Sequence, residues 1–204
     1  MVDAVHRDAL ARQLLRVLAA ACPDSRTRLR GSLATGQADA FSDIDITWRV
    51  PDDAFDDVVA GVADVLEKVW PVALVREDPE WQKSEQRRLV FVAFRDLPLF
   101  WRLDLDVRAE SCPANAAPAP GEDWSPAASA LANAVAAVKA VLRDQPGVAV
   151  GLLDRAFQRV EAEDKATGQW REDVTRLAEA AVRVDPGVRP LAGQVVDLAG
   201  DFLY

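Results

Sequence analysis

Two pairs of aspartates are the side chains in this sequence best suited to chemistry: Asp43 with Asp45, and Asp104 with Asp106. On a β-strand, residues two apart point to the same face, with Cα atoms about 7 Å apart. Two carboxylates this close repel each other and raise each other's pKa unless a cation lies between them. Oxygen ligands of this type suit Mg²⁺ or Mn²⁺. The pairs therefore indicate a divalent-metal site, and the alternative for each is the solvated face of a strand.

Alternating apolar and polar residues predict strands beneath both pairs. Residues 42–50 place isoleucines and a tryptophan on one side and aspartates on the other. Residues 87–95 and 99–108 alternate in the same way, and the Asp-Leu-Pro between them predicts a hairpin. A helix over 2–21 and a second from 51 to about 69 carry apolar stripes at helical spacing. These elements predict an α/β N-terminal half, and the Ala-rich sequence that follows predicts an all-helical C-terminal half.

A Gly-Ser pair precedes the first aspartate pair. Gly31 and Ser32 are predicted to end a short strand over 28–32, where backbone N–H groups and a hydroxyl can contact a phosphate. Each feature alone is common among proteins. A Gly-Ser pair, then two aspartates between apolar residues, then a third carboxylate on a later strand is a far more specific combination.

In that order, these motifs resemble the signature of the nucleotidyltransferase superfamily, which includes DNA polymerase β and the small enzymes that modify kanamycin, streptomycin and lincosamides. The resemblance covers residues 28–108 and implies an α+β protein, with an N-terminal nucleotidyltransferase fold followed by a C-terminal helical bundle. The matching residues, in chain order, are Gly31, Ser32, Ser42, Asp43, Asp45 and Asp104.

The resemblance implies a Mg²⁺-dependent adenylyltransferase with ATP as its co-substrate. Asp43 and Asp45 would hold two Mg²⁺ ions, and Asp104 would be a ligand of one of them. Asp104 would also act as the general base that takes the proton of an acceptor hydroxyl. A nucleoside monophosphate would then be transferred with release of pyrophosphate. Asp106 shares a strand face with Asp104 and is the alternative third carboxylate.

Nucleotide contacts are implied for Gly31, Ser32 and Ser42. Many relatives carry an arginine shortly after Gly-Ser that contacts the triphosphate, whereas this sequence has Ala-Thr there. Small relatives often use a lysine from a C-terminal helix, which nominates Lys139 as a fourth nucleotide-binding residue. The alternative for Lys139 is an ordinary surface lysine on an amphipathic helix.

Charge constrains the acceptor. The 204 residues include 24 Lys and Arg against 33 Asp and Glu, a net charge of −9. Such a chain is poorly suited to bind nucleic acid and favours cationic partners. The acidic segment 77–85 and its Trp81 could line a pocket for a cationic, hydroxyl-bearing small molecule such as an aminoglycoside, through cation–π contact. The alternative for this segment is a solvated loop.

The sequence therefore predicts nucleotidylation of a small molecule, with antibiotic resistance as a physiological role. Two other functions remain open at this point. One is a regulatory or antitoxin-type nucleotidyltransferase that acts on a hydroxyl of a partner protein. The other is a nucleotide-binding module with little turnover.

The domain boundaries follow a change in composition. A catalytic domain is predicted over 1–110, a Pro- and Ala-rich linker over 111–126 and a helical domain over 127–204, with Ser125 capping its first helix. The single histidine and two widely spaced cysteines exclude a His-ligated metal site and a disulfide framework. We expect a cytoplasmic protein without membrane segments, and a homodimer stays open.

Overall fold

The computed structural model describes residues 4–122 and 124–203, and the fold is α+β, as predicted. The chain divides into two compact units, Met1–Trp124 and Ser125–Tyr204. No helix of the described residues is long and apolar enough to cross a lipid bilayer. The helices and strands, in chain order, are α1 (Ala4–Ala21), β1 (Arg26–Leu29), α2 (Gly31–Thr35), β2 (Ile44–Val50), α3 (Phe55–Glu67), β3 (Val72–Glu77), β4 (Arg87–Phe94), β5 (Leu103–Ala109), α4 (Pro126–Leu142), α5 (Pro146–Arg159), α6 (Trp170–Val184) and α7 (Arg189–Phe202).

The first unit is built on a five-stranded mixed sheet in the order β1-β2-β5-β4-β3. Strands β2 and β5 are parallel, and the other neighbouring pairs are antiparallel. The predicted hairpin is present as the antiparallel pair β4–β5, but β5 begins at Leu103, later than predicted. Residues Leu99–Trp101 form a 3₁₀ turn instead, because Phe100 and Trp101 turn inward and are buried.

The two faces of this sheet differ in polarity. Along β2 and β5, every other side chain is buried beneath α1 and α3, as the predicted alternation requires. The buried residues of these two strands on that side are Ile44, Ile46, Trp48, Val50, Leu103, Leu105, Val107 and Ala109. The opposite side, here named the polar face, carries the residues between them: Asp45, Thr47, Arg49, Asp104, Asp106 and Arg108.

The prediction of a strand over 28–32 is wrong at the C-terminal end of that strand. Strand β1 ends at Leu29, although the Arg30 N–H still donates to the Asp45 carbonyl at 3.0 Å. Gly31 then adopts φ +62°, a conformation that favours glycine, and turns the chain into α2. Gly31 and Ser32 therefore begin a five-residue helix rather than end a strand.

The second unit is all-helical. Ser125 caps α4 by accepting a hydrogen bond from the Ala128 N–H at 3.1 Å, and Pro126 occupies the first turn, as predicted. The next helix was predicted over 150–167, but α5 runs from Pro146 to Arg159. Proline lacks a backbone N–H and fits the first turn of a helix, so Pro146 begins α5 rather than only ending α4.

Residues 111–122, predicted as part of a linker, are hydrogen-bonded to the turn after β3. The Ala119 N–H donates to the Glu80 carbonyl at 2.8 Å, and the Lys83 N–H donates to the Ala119 carbonyl at 2.9 Å. The Gly121 N–H donates to the Pro79 carbonyl at 2.8 Å. This segment therefore belongs to the first compact unit.

Candidate active site

The pairing of β2 with β5 brings together aspartates that lie far apart in the sequence. Asp45 and Asp104 are Cα partners on these adjacent parallel strands, so both side chains project from the polar face. Asp43 lies two residues before Asp45, just ahead of β2. The side chains of Asp45 and Asp104 are 22% and 15% exposed. These three aspartates are named the acidic end of the polar face.

The three carboxylates interact electrostatically. Burial raises the pKa of Asp45 above its usual value, and the negative charges of Asp43 and Asp104 raise it further. The guanidinium groups of Arg30 and Arg102 oppose this shift without cancelling it. The acidic end is therefore a place where an added cation would be favoured.

Arg102 binds the carboxylate of Asp104 through two hydrogen bonds. Its Nε donates to Oδ1 at 2.6 Å and its Nη2 donates to Oδ2 at 2.8 Å. Burial by itself would lower the pKa of Arg102, but the hydrogen bond and the charge of Asp104 outweigh it, so that pKa is raised. In this arrangement Arg102 compensates the third carboxylate.

The side chain of Arg30 approaches both β2 and β5. Its Nη2 is 3.9 Å from Asp45 Oδ1 and 3.5 Å from the Asp104 carbonyl oxygen. Its Nε is buried without a hydrogen-bond partner among the described residues. Sequence reasoning missed both Arg30 and Arg102. Arg102 precedes Asp104 by two residues, a spacing that could have identified it as a neighbour.

The donor set of the acidic end suits Mg²⁺, because all three groups are carboxylates. However, no three His, Cys, Asp or Glu residues within 4–122 and 124–203 form a group that could hold a metal ion. Both carboxylate oxygens of Asp104 are engaged by Arg102. The ligand types therefore suit Mg²⁺, but within the described residues the three carboxylates are not arranged as a metal site, and Asp104 would also have to be released by Arg102.

Gly31 allows α2 to begin directly beside Asp45. A Cβ atom at residue 31 would lie only 2.4 Å from Asp45 Oδ2. Any other residue there would displace the carboxylate and would also have to adopt a positive φ. The glycine of the Gly-Ser pair is thus explained by close approach to the aspartate pair. Ser32 follows it and is half-buried.

Asp106 has different surroundings from Asp104. Its side chain is 1% exposed and accepts from Arg87 Nε at 2.8 Å and from Arg108 Nη2 at 2.8 Å. Two guanidinium groups therefore compensate one buried carboxylate. These contacts describe an ion-pair network that holds β4 to β5, whereas Asp104 lies beside Asp45 on the neighbouring strand.

The predicted cation–π role of Trp81 is wrong. Trp81 is 8% exposed, and the Arg87 guanidinium lies 3.8 Å from the centre of its ring. Because a cation of the chain already covers that ring, it is not available to a cationic ligand. Nearby, Asp78 accepts from the Glu80 N–H and so caps the 3₁₀ turn.

The two remaining predicted nucleotide contacts lie in different units. The Ser42 hydroxyl is buried, donates to Asp39 Oδ1 at 2.9 Å and accepts from the Asp39 N–H at 3.0 Å, which closes the loop before β2. Lys139 is half-buried in the last turn of α4. Their contacts with a nucleotide stay predictions.

Comparison with known proteins adds little to this description. No family model matches the sequence, and no curated protein sequence matches it. Among solved structures, a chain from the structure of a GLD-2/RNP-8 complex matches with 12% identity and a TM-score of 0.36. The match covers 85% of this chain and 57% of that chain, so this chain spans a little over half of its length. A similarity this low carries no argument about activity.

Proposed function

We propose that this protein is a Mg²⁺-dependent nucleotidyltransferase that moves a nucleoside monophosphate, AMP from ATP, onto a hydroxyl of a small acceptor. The single observation that supports it most is the register of Asp45 with Asp104 on adjacent parallel strands. Asp43 also acts electrostatically on Asp45, and the glycine of the Gly-Ser pair lies directly against the Asp45 carboxylate. The sequence motifs gave the order of these residues, and their proximity supports a common site.

Each residue of this site has a proposed role. Asp43, Asp45 and Asp104 would hold Mg²⁺, which supplies positive charge for a triphosphate and for an acceptor oxygen. Asp104 would accept the proton of the acceptor hydroxyl. The acceptor oxygen bonds to the α-phosphorus while the bond from that phosphorus to the bridging oxygen of the β-phosphate breaks, and pyrophosphate leaves. Gly31, Ser32 and Ser42 would contact the nucleotide.

The test is transfer of label from ATP carrying a labelled α-phosphate. The protein is incubated with Mg²⁺, the labelled ATP and a panel of hydroxyl-bearing small molecules that includes aminoglycosides, and products are identified by mass spectrometry. Pyrophosphate release and a labelled product are expected for the native chain, and neither is expected for Asp45→Asn.

The matched control is Asp64→Asn, which removes an exposed carboxylate from α3, on the other side of the sheet. It should retain full transfer. Equal activity of Asp45→Asn and Asp64→Asn would contradict the proposed site. Label on a protein rather than on a small molecule would instead identify the regulatory or antitoxin-type enzyme.

One observation favours a second candidate, a nucleotide-binding module with little turnover. Arg102 binds both carboxylate oxygens of Asp104, so a residue of the chain itself compensates this carboxylate. A binding module would bind ATP equally well with Mg²⁺ and with a chelator. The enzyme requires that nucleotide affinity depend on Mg²⁺.

A further inference from the structure

Beyond the acidic end, the polar face forms a pocket of about 470 Å³. Thr47 and Asp106, which are Cα partners on β2 and β5, lie on its floor. Strands β1, β2 and β5 supply four of its basic residues, and the fifth is the residue that follows β1. We name this cavity the basic pocket. The five arginines that line it are Arg26, Arg28, Arg30, Arg49 and Arg108.

The arginines of the basic pocket outnumber their acidic partners. Arg108 shares the single carboxylate of Asp106 with Arg87. Arg26 lies 4.0 Å from an exposed glutamate, Glu110, and is itself 80% exposed. Arg49 donates to a carbonyl oxygen, which carries no net charge.

Arg28 is the clearest case of an uncompensated cation. It is exposed on β1 and is the Cα partner of Thr47, so it projects from the polar face. Its side chain makes no hydrogen bond or ion pair within the described part of the chain. In a protein whose net charge is −9, an excess of positive charge at one site is a local exception that suits an anion.

The basic pocket adjoins the acidic end. One two-residue step along the strands, about 7 Å, leads from the Asp45–Asp104 pair to the Thr47–Asp106 pair, and a second step leads to Arg49 and Arg108. Arg30 lines the basic pocket and also approaches Asp45 to 3.9 Å. A small molecule with a hydroxyl beside Asp104 would therefore extend over the arginines.

We infer that the basic pocket binds a phosphate group of the acceptor, so that the substrate is a phosphorylated small molecule rather than a cationic one. Guanidinium groups bind phosphate oxygens through paired, charge-assisted hydrogen bonds, the geometry that arginine provides best. Identifying the ligand as the acceptor rests on the proposed function, whereas phosphate binding by the basic pocket does not. The outer phosphates of ATP are the competing source of the same chemistry, and the test separates the two.

Binding is measured by isothermal titration calorimetry with matched pairs of probes: glucose 6-phosphate with glucose, and ribose 5-phosphate with ribose. The sugar phosphates are expected to bind and the free sugars are not. Arg28→Glu should weaken sugar-phosphate binding by at least tenfold, because it removes a charge-assisted hydrogen bond and places a negative charge beside the phosphate. Mg²⁺–ATP binding by this variant should remain close to that of the native chain.

Arg16→Glu is the matched control, since it reverses the charge of an exposed arginine on α1. This helix packs against the apolar face of the sheet. It should bind the sugar phosphates normally. Arg28→Gln, which removes the charge without reversing it, provides a milder variant and should weaken binding in the same direction. Higher salt should weaken it as well, because exposed charges are screened.

The proposal is overturned if phosphorylated and free sugars bind equally, or if Arg28→Glu weakens ATP binding and spares sugar phosphates. Binding restricted to oligonucleotides would also overturn it. Sugar-phosphate binding without any label transfer would support the basic pocket and reject the proposed enzyme. Label transfer to an aminoglycoside without phosphate binding would support the proposed enzyme and reject the basic pocket as a phosphate site.

Discussion

The two ends of the polar face carry opposite charge on the same strands. At the acidic end, two arginines only partly offset three carboxylates, and the pKa of Asp45 stays raised. At the basic pocket, five arginines surround one buried carboxylate that is already shared. A step of two residues along β2 and β5 separates a site that favours a cation from one that favours an anion. Position along the strand, rather than residue type, therefore distinguishes Asp104 from Asp106.

The largest expected effect is that of Asp104→Asn on turnover. An asparagine keeps the shape of the side chain but cannot accept the acceptor's proton, so kcat should fall by about 10²–10⁴-fold. Affinity for Mg²⁺–ATP should change far less. Steady-state kinetics of pyrophosphate release, together with calorimetric titration of ATP, measure the two quantities. Unchanged kcat would remove Asp104 from the mechanism.

Asp106→Asn should show the opposite pattern. The substitution removes the carboxylate that the half-buried Arg87 and Arg108 share. Breaking a buried ion pair by removing one partner costs about 3–5 kcal/mol. Urea denaturation should therefore show a large loss in the free energy of unfolding. Asp64→Asn serves as the control for a lost surface carboxylate. A stable but inactive Asp106→Asn would exchange the roles of the two aspartates.

Gly31→Ala should disturb the acidic end through its contact with Asp45. A positive φ costs a non-glycine residue about 1–2 kcal/mol, and the added Cβ would meet the Asp45 carboxylate at 2.4 Å. Gly36→Ala is a matched control, because Gly36 also has a positive φ but no atom near its Cβ position. Both variants should lose stability in thermal unfolding. Only Gly31→Ala should also lose Mg²⁺–ATP affinity, and equal affinities would contradict the contact.

The smallest effect is expected for Arg102→Gln, which removes the cation that competes with a metal for Asp104. If the lost contact with Asp104 contributes about 1 kcal/mol net, its removal corresponds to roughly a fivefold increase in Mg²⁺ affinity. Calorimetric titration with Mg²⁺ in the absence of nucleotide measures it. A decrease in affinity would show that Arg102 supports the cation site rather than competes with it.

The features that the sequence predicted correctly depend on local patterns. Alternation along β2 and β5 is decided within each strand, so the apolar and polar faces could be assigned before their pairing was known. The same holds for Ser125, whose cap depends on the residues immediately after it. The Asp43–Asp45 spacing was noted for the same reason, and the role of this pair stays a prediction.

The features that it missed depend on pairing between distant segments. The five arginines of the basic pocket come from three strands and from the residue that follows β1, and nothing in any one of these segments shows that they converge. Alternation of Arg26, Arg28 and Arg30 was the available signal, but the predicted strand began at residue 28. The stacking of Arg87 on Trp81 was not predicted, because the turn between the two residues brings them together and the spacing in the sequence does not show it.

Strand β5 occupies the centre of the sheet although it is the last strand in the chain. Until it is synthesised, β1–β2 and β3–β4 can form only two separate antiparallel ribbons, each with an unsatisfied inner edge of hydrogen-bonding groups. Insertion of β5 closes both edges and, in the same event, sets Asp104 beside Asp45. We expect nascent chains that stop before Leu103 to aggregate, and longer ones that include β5 to become protease-resistant, as pulse proteolysis of stalled chains would measure.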